Sequence, residues 1–105
     1  MKVVVIDKVD DELIHMLNKA GLLVQDLRTR PDEEVWTAMG NAEGVVMRSR
    51  FTLDEAALKS CKQLKFIARA GAGIEHIDQD YCQTHHITII TTNLHIHIQQ
   101  PTRDS

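Results

Sequence analysis

The sequence has few cysteines, no excess of basic residues and no long apolar run. Cys61 and Cys82 are the only cysteines among 105 residues, so we expect two reduced, partly buried thiols and a cytoplasmic protein. The net charge of −3 provides no broad basic field, which excludes a typical nucleic-acid binder. No stretch approaches the roughly 20 apolar residues of a membrane span. The apolar run at the N-terminus is too short for a signal peptide.

What the chain does contain is an alternation of short β-branched runs with amphipathic stretches. Such runs are typical of buried strands, and apolar residues at the helical period predict the helices between them. The predicted strands are Val3–Ile6, Leu22–Gln25, Gly44–Met47, Leu64–Ala68 and Ile87–Thr91. Helices are predicted after Asp10 or Asp11, from Pro31, from a capping box at Thr52–Glu55, and after Asp78.

This alternation predicts an α/β domain over residues 1–92, with a parallel sheet covered by helices on both faces. Five strands joined by right-handed crossovers favour a flavodoxin-like, three-layer sandwich with strand order 2-1-3-4-5. Residues 93–105 differ in character, because Leu94–Ile98 alternates apolar and polar residues before a polar end. That tail is an edge strand, an arm that pairs with another chain, or a frayed terminus.

Three segments follow predicted strands at the edge where ligands of open parallel sheets gather. They are Asp7-Lys8, Arg48-Ser49-Arg50 and Arg69-Ala70-Gly71-Ala72-Gly73. Arginine donor forks suit a carboxylate or a phosphate, and glycines let backbone amides approach an anion. The alternative is that Arg48, Arg50 and Arg69 only pair with carboxylates of this acidic chain.

Neither a dinucleotide site nor a metal site is predicted. The Gly71-Ala72-Gly73 turn lacks the full G-x-G-x-x-G pattern and does not follow the first strand. His85 and His86 are adjacent, so their side chains diverge. His95 and His97 would share one face of a strand, as a zinc or nickel pair does, but solvent-facing histidines explain both pairs more simply.

The acidic residues after the first strand suggest a response-regulator receiver, which binds magnesium at that place. A receiver also needs an aspartate ending strand three and a lysine ending strand five. Arg48 and Thr91 stand there instead, which argues against phosphoryl transfer.

Two longer segments are diagnostic when taken together. Val45–Arg50, followed by Leu64–Asp78 with its R-A-G-x-G-x-x-x-I-D pattern, resembles the N-terminal segment of D-isomer-specific 2-hydroxyacid dehydrogenases, specifically the D-3-phosphoglycerate type. The likeness extends over residues 1–91. It implies that Arg48 and Arg69 face the substrate, and that amides of Ala70, Gly71 and Ala72 hold its carboxylate. Ser49 is a secondary candidate, and Arg50 is expected to be solvated.

The chain departs from the family pattern after strand five, where Thr91-Thr92-Asn93 replaces an Asn-x-Pro turn. The family's NAD fingerprint, catalytic arginine and Glu-His pair all lie further along, so no catalytic residue and no cofactor site is assigned in this chain. We therefore expect a truncated substrate-binding portion that is inactive alone and binds a small anionic 2-hydroxy acid. The alternative is a non-catalytic anion-binding or oligomerisation module. Uncovered apolar surface, or the 94–98 arm, is expected to drive homodimerisation.

Overall fold

The computed structural model describes residues 1–71 and 75–92. In this part of the chain five strands alternate with four helices. The strands are β1 (Lys2–Val5), β2 (Leu23–Asp26), β3 (Gly44–Met47), β4 (Phe66–Ala70) and β5 (Thr88–Thr92). The helices are α1 (Asp11–Lys19), α2 (Asp32–Met39), α3 (Glu55–Lys59) and α4 (Gln79–Thr84).

All four strand pairs are parallel, and the strand order is β2-β1-β3-β4-β5. The predicted α/β class and the predicted order are thus confirmed. The β-branched run at the start of the chain forms a central strand, in which Val4 pairs with Gln25 on one side and Val45 on the other. Strands buried on both faces are near-continuous in apolar residues, and every residue of β3 is buried.

Alternation of side chains along the strands gives the sheet two apolar faces. The larger core contains Val4, Val45 and Ile67, and it packs against α2, α3 and α4. The smaller core contains Val3, Val5 and Val46, and among the helices of the described residues only α1 packs against it. This arrangement is the three-layer sandwich that the alternation of elements predicts.

The face under α1 is only partly covered in the described residues. Leu13, Ile14 and Leu17 of α1 pack near the middle of the sheet, whereas Ile90 in β5 is 43% exposed. The Phe66 ring occupies part of this face of the sheet, at the position that a Cβ of Gly44 would take. A side chain at position 44 would displace this ring.

Several predicted boundaries were wrong by one or two residues, and among them β1 lies one residue earlier and β2 one residue later than predicted. The cap of α3 is Asp54, whose carboxylate accepts the Ala57 N–H at 2.9 Å; Thr52 is not the cap, because Leu53 still has extended, bridged backbone. Pro31 caps α2 rather than lying inside its first turn. Leu64 belongs to a turn closed by its N–H to the Cys61 carbonyl, so β4 begins and ends two residues later than predicted.

The later end of β4 puts Arg69 and Ala70 within the strand rather than in the turn. β5 is likewise shifted by one residue, since the Ile87 N–H bonds the Cys82 carbonyl. Cys61 lies just after α3, Cys82 lies in α4, and both thiols are buried.

Several predictions fall on residues outside the described ranges. These are the roles of Ala72 and Gly73, the pair His95 and His97, and the 94–98 arm. None of the helices in the described parts of the chain combines the length and apolar character that crossing a bilayer requires.

Candidate functional site

The carboxyl ends of β3 and β4 bring two of the predicted segments together. Met47 and Arg69 are partners in the parallel register of these strands. Arg48 and Ser49 therefore leave the sheet beside Ala70 and Gly71. Ligands of open parallel sheets bind at the carboxyl ends of the strands, and the predicted strand order places these two strand ends side by side.

Arg48 and Ser49 both have exposed side chains. The backbone N–H of Arg48 donates to Asp7 Oδ2 at 2.9 Å. Among residues 1–71 and 75–92, the Arg48 guanidinium forms no ion pair. A planar donor fork of this kind is available to a carboxylate or phosphate from solution.

Arg50 is not solvated, contrary to the prediction. Its Nη1 donates to the carbonyl oxygens of Ile6 at 3.0 Å and Leu27 at 3.3 Å. Its Nη2 donates to the Arg30 carbonyl at 2.6 Å and pairs with Asp32 at 2.8 Å. The carbonyls at the ends of β1 and β2 need donors, and the five N–H groups of one guanidinium supply them.

Arg69 and Gly71 are in close contact at the end of β4. Gly71 has φ of +128°, a conformation that side chains with a Cβ rarely adopt. A Cβ built on Gly71 would lie 2.5 Å from Arg69 Nη1. The missing side chain of Gly71 therefore leaves room for the Arg69 guanidinium, while Ala70 is buried.

An apolar contact joins the loops that follow β3 and β4. Leu53 and Ile77 form a parallel bridge, in which the Leu53 N–H donates to the His76 carbonyl at 2.6 Å and the Asp78 N–H donates to the Leu53 carbonyl at 2.9 Å. Both side chains are buried. The bridge ties together the two segments that carry the candidate residues.

The ends of β1 and β2 are occupied by a second arginine network. Arg28 pairs with Asp26 at 2.8 Å and with Asp11 at 2.9 Å, and it donates to the Val9 carbonyl at 2.9 Å. The Arg28 side-chain hydrogen bond holds the pKa of Asp26 below its ordinary value, and Asp26 and Asp11 raise the pKa of Arg28.

We refer to the ends of β1 and β2, with Arg28 and Arg50, as the closed half of this edge. The open half comprises Arg48, Ser49 and Arg69–Gly71. In the closed half, α1 and α2 begin with the carboxylates Asp11, Glu12 and Asp32, Glu33, Glu34. Of these five carboxylates, Asp11, Glu34 and Asp32 pair with arginines, so the arginines of the closed half already have anionic partners.

The described residues do not fit a dinucleotide cofactor. Such a site uses a glycine-rich turn that leads from the first strand into a helix N-terminus. Here β1 is followed by Ile6, Asp7 and Lys8, and Gly71 follows β4, eight residues before α4 begins.

Comparison with known proteins resolves the family. Residues 3–94 match the model of the catalytic domain of D-isomer specific 2-hydroxyacid dehydrogenases. The chain belongs to this family. The resemblance drawn from the residues is thereby confirmed, as is its flavodoxin-like fold.

The curated relatives that this chain matches include the D-3-phosphoglycerate dehydrogenases of two organisms described next. That of Archaeoglobus fulgidus is 35% identical over 78 residues, which are 74% of this chain and 15% of the relative. That of Sus scrofa is 25% identical over 91 residues, 87% of this chain and 17% of the relative. The chain thus spans about one sixth of the length of these relatives.

Among solved structures, NAD+-bound 3-phosphoglycerate dehydrogenase of Entamoeba histolytica is 31% identical, with a TM-score of 0.69 over 88% of this chain and 32% of that one. The apo D-lactate dehydrogenase of Escherichia coli has a TM-score of 0.73 at 18% identity, covering 88% of this chain and 31% of that one. The second likeness supports the fold alone.

Sequence reasoning did not predict that Asp7 and Arg50 hold the turn after β3. Asp7 was named in a candidate ligand segment and among the acidic residues of a receiver, and Arg50 was expected in solvent. The predicted strand order could have indicated this contact, because β1 and β3 are neighbours in it. An aspartate that follows β1 therefore lies beside the turn that follows β3.

Proposed function

We propose that this chain supplies the substrate-binding part of a D-2-hydroxyacid dehydrogenase, and that its ligand is an anionic 2-hydroxy acid of the 3-phosphoglycerate type. The observation that carries the proposal is the contrast among the arginines. Arg28, Arg30 and Arg50 each pair with a carboxylate, whereas Arg48 extends from the open half without such a pair in the described residues.

The roles follow from the positions of the groups. Arg48 meets one anionic end of the ligand with its donor fork, and Ser49 offers a hydroxyl beside it. Arg69, with the backbone amides of Ala70, Gly71 and Ala72, holds the second anionic end. A ligand with both a carboxylate and a phosphate can engage both arginines, which supports the phosphoglycerate branch that the names of the curated relatives also favour.

Hydride transfer requires a nicotinamide against the substrate carbon and a group that accepts the hydroxyl proton. The described residues of this chain do not fit the cofactor, and the family's acid-base pair has no counterpart in the sequence. The chain alone is therefore expected to bind the hydroxy acid without oxidising it, with NAD held by residues that this sequence does not contain.

Titration calorimetry tests this function. We expect the chain to bind 3-phosphoglycerate and to give no heat with NAD. Arg48→Ala and Arg69→Ala should each weaken phosphoglycerate binding by about tenfold or more, because each removes a charge-assisted, bidentate contact. Arg30→Ala is the matched control, since Arg30 is exposed and paired with Glu34 at 2.8 Å.

D-lactate and inorganic phosphate serve as competing ligands. Tighter binding of 3-phosphoglycerate than of either one supports the two-anion arrangement. Equal affinity for D-lactate would move the assignment to another branch of the family, and saturable NAD binding would overturn the division of roles.

A further inference from the structure

The carboxylate of Asp7 is bonded to the backbone on both sides of Ser49. Its Oδ2 accepts the N–H of Arg48 at 2.9 Å and the N–H of Arg50 at 2.6 Å, and its Oδ1 accepts the N–H of Lys8 at 2.8 Å. One side chain at the end of β1 thereby fixes the turn that follows β3.

The same turn is held from its other side by Arg50. This side chain reaches four acceptors on the segments after β1 and β2, and its guanidinium carbon lies 4.8 Å from the centre of the Phe51 ring. Phe51 is buried and packs edge-on against Trp36, with the ring centres 4.9 Å apart. The turn is therefore anchored by a carboxylate, a guanidinium and an aromatic ring.

These anchors determine which side chains reach solvent. Arg50 and Phe51 point into the protein, while Ser49 and Arg48, whose backbone N–H donates to Asp7, are exposed. Binding is stronger when the contacting groups are ordered before the ligand arrives, because the entropic cost of ordering them has already been met in the free protein.

We propose that Asp7 and Arg50 are positioning residues, which hold the turn of residues 48–50 in the conformation that presents Arg48 and Ser49 to an anion. The inference rests on the proposed function for the identity of that anion. The positioning itself is a property of the protein without ligand, so the two are tested separately.

The chain offers a matched control in Arg28. Its side chain is 22% exposed, against 24% for Arg50. Each has carboxylate and carbonyl partners in the closed half, but Arg28 forms no hydrogen bond with residues 48–50. Substitution by lysine keeps the charge in both cases and removes the fork that reaches several acceptors at once.

The experiment compares Arg50→Lys, Asp7→Asn and Arg28→Lys in the full chain. NMR measures hydrogen exchange of the Arg48 and Arg50 amides, thermal unfolding gives Tm, and calorimetry gives the Kd for 3-phosphoglycerate. We expect faster exchange in the first two variants. We also expect about tenfold weaker binding, a loss comparable to that of roughly one charge-assisted hydrogen bond, because Arg48 is no longer held in place for the ligand. Arg28→Lys should lower Tm to a similar extent while leaving the exchange at residues 48–50 and the Kd unchanged.

Equal effects of all three variants on Kd and exchange would overturn the proposal, because a general loss of stability would then explain them. Unchanged exchange in Arg50→Lys would overturn it as well, even if Asp7→Asn fails to fold. If the unmodified chain does not bind 3-phosphoglycerate, the proposed function fails, and the exchange comparison still decides whether the two residues hold the turn.

Discussion

The closed and open halves of the sheet's carboxyl edge are stabilised by different chemistry. In the closed half, Arg28 and Arg50 bond carbonyl oxygens and carboxylates. In the loops that continue from the open half, Leu53 and Ile77 make contact through buried apolar side chains and backbone hydrogen bonds. The Arg48 guanidinium forms no ion pair with the described residues, so its side chain is expected to contribute little to the stability of this edge.

Removing the apolar contact should have the largest effect on stability. Leu53→Ala leaves a cavity at a fully buried position, and we expect a loss of about 2–5 kcal/mol in the free energy of unfolding. Leu23→Ala is the control, because Leu23 is 71% exposed in β2 and should change stability by no more than about 0.5 kcal/mol. Denaturant unfolding measures both values, and similar losses would contradict the role assigned to Leu53.

A second substitution probes the contact between Arg69 and the turn. Gly71→Ala introduces a Cβ at φ of +128° and 2.5 Å from Arg69 Nη1, whereas Gly21→Ala introduces one at φ of +87° with no atom within 4 Å. Backbone strain of about 1–3 kcal/mol is expected in each. Only Gly71→Ala should also displace the guanidinium and weaken phosphoglycerate binding.

Calorimetry of the two glycine variants separates these effects. If Gly21→Ala weakens binding as much as Gly71→Ala does, strain alone accounts for the loss and the Arg69 contact is irrelevant to the ligand. If neither variant changes the Kd, Arg69 does not contribute to the site.

The predicted strand order was sufficient to predict that Arg48 and Arg69 lie at the same edge of the sheet, because both follow or end parallel strands at their carboxyl ends. That order depends on periodicity and chain connectivity, which a single sequence displays. The direction in which an arginine points depends on acceptors from other segments, and sequence spacing does not reveal these. Arg50 was therefore expected in solvent, although the carbonyls of Ile6 and Leu27 and the carboxylate of Asp32 hold it in the closed half.

The boundary of α3 illustrates a similar limit. Thr52 and Glu55 have the spacing of a capping box, but Asp54 is an equally good cap two residues later. The bridge of Leu53 to Ile77 requires extended backbone at residue 53, so the tertiary contact decided between two caps that local chemistry allowed.

The smallest expected effect concerns acid stability in the closed half. The Arg28 side-chain hydrogen bond lowers the pKa of Asp26 from 3.8, so its stabilising contribution is complete above that pH and is lost as the pH falls through the folded-state value. Since the Asp26 side chain is 45% exposed, solvent screening limits this contribution to about 1 kcal/mol or less.

Urea unfolding between pH 2 and 6 measures this contribution, because the range spans the ordinary pKa of a carboxylate at roughly 4. As the pH falls, Asp26→Asn should lose stability less steeply than the unmodified chain. Glu12→Gln, which removes an exposed carboxylate without an ion pair in the described residues, should leave the slope unchanged. Parallel curves for Asp26→Asn and the unmodified chain would mean that the Arg28 network orders the closed half without stabilising it, and the contrast between the halves would then rest on Arg50 alone.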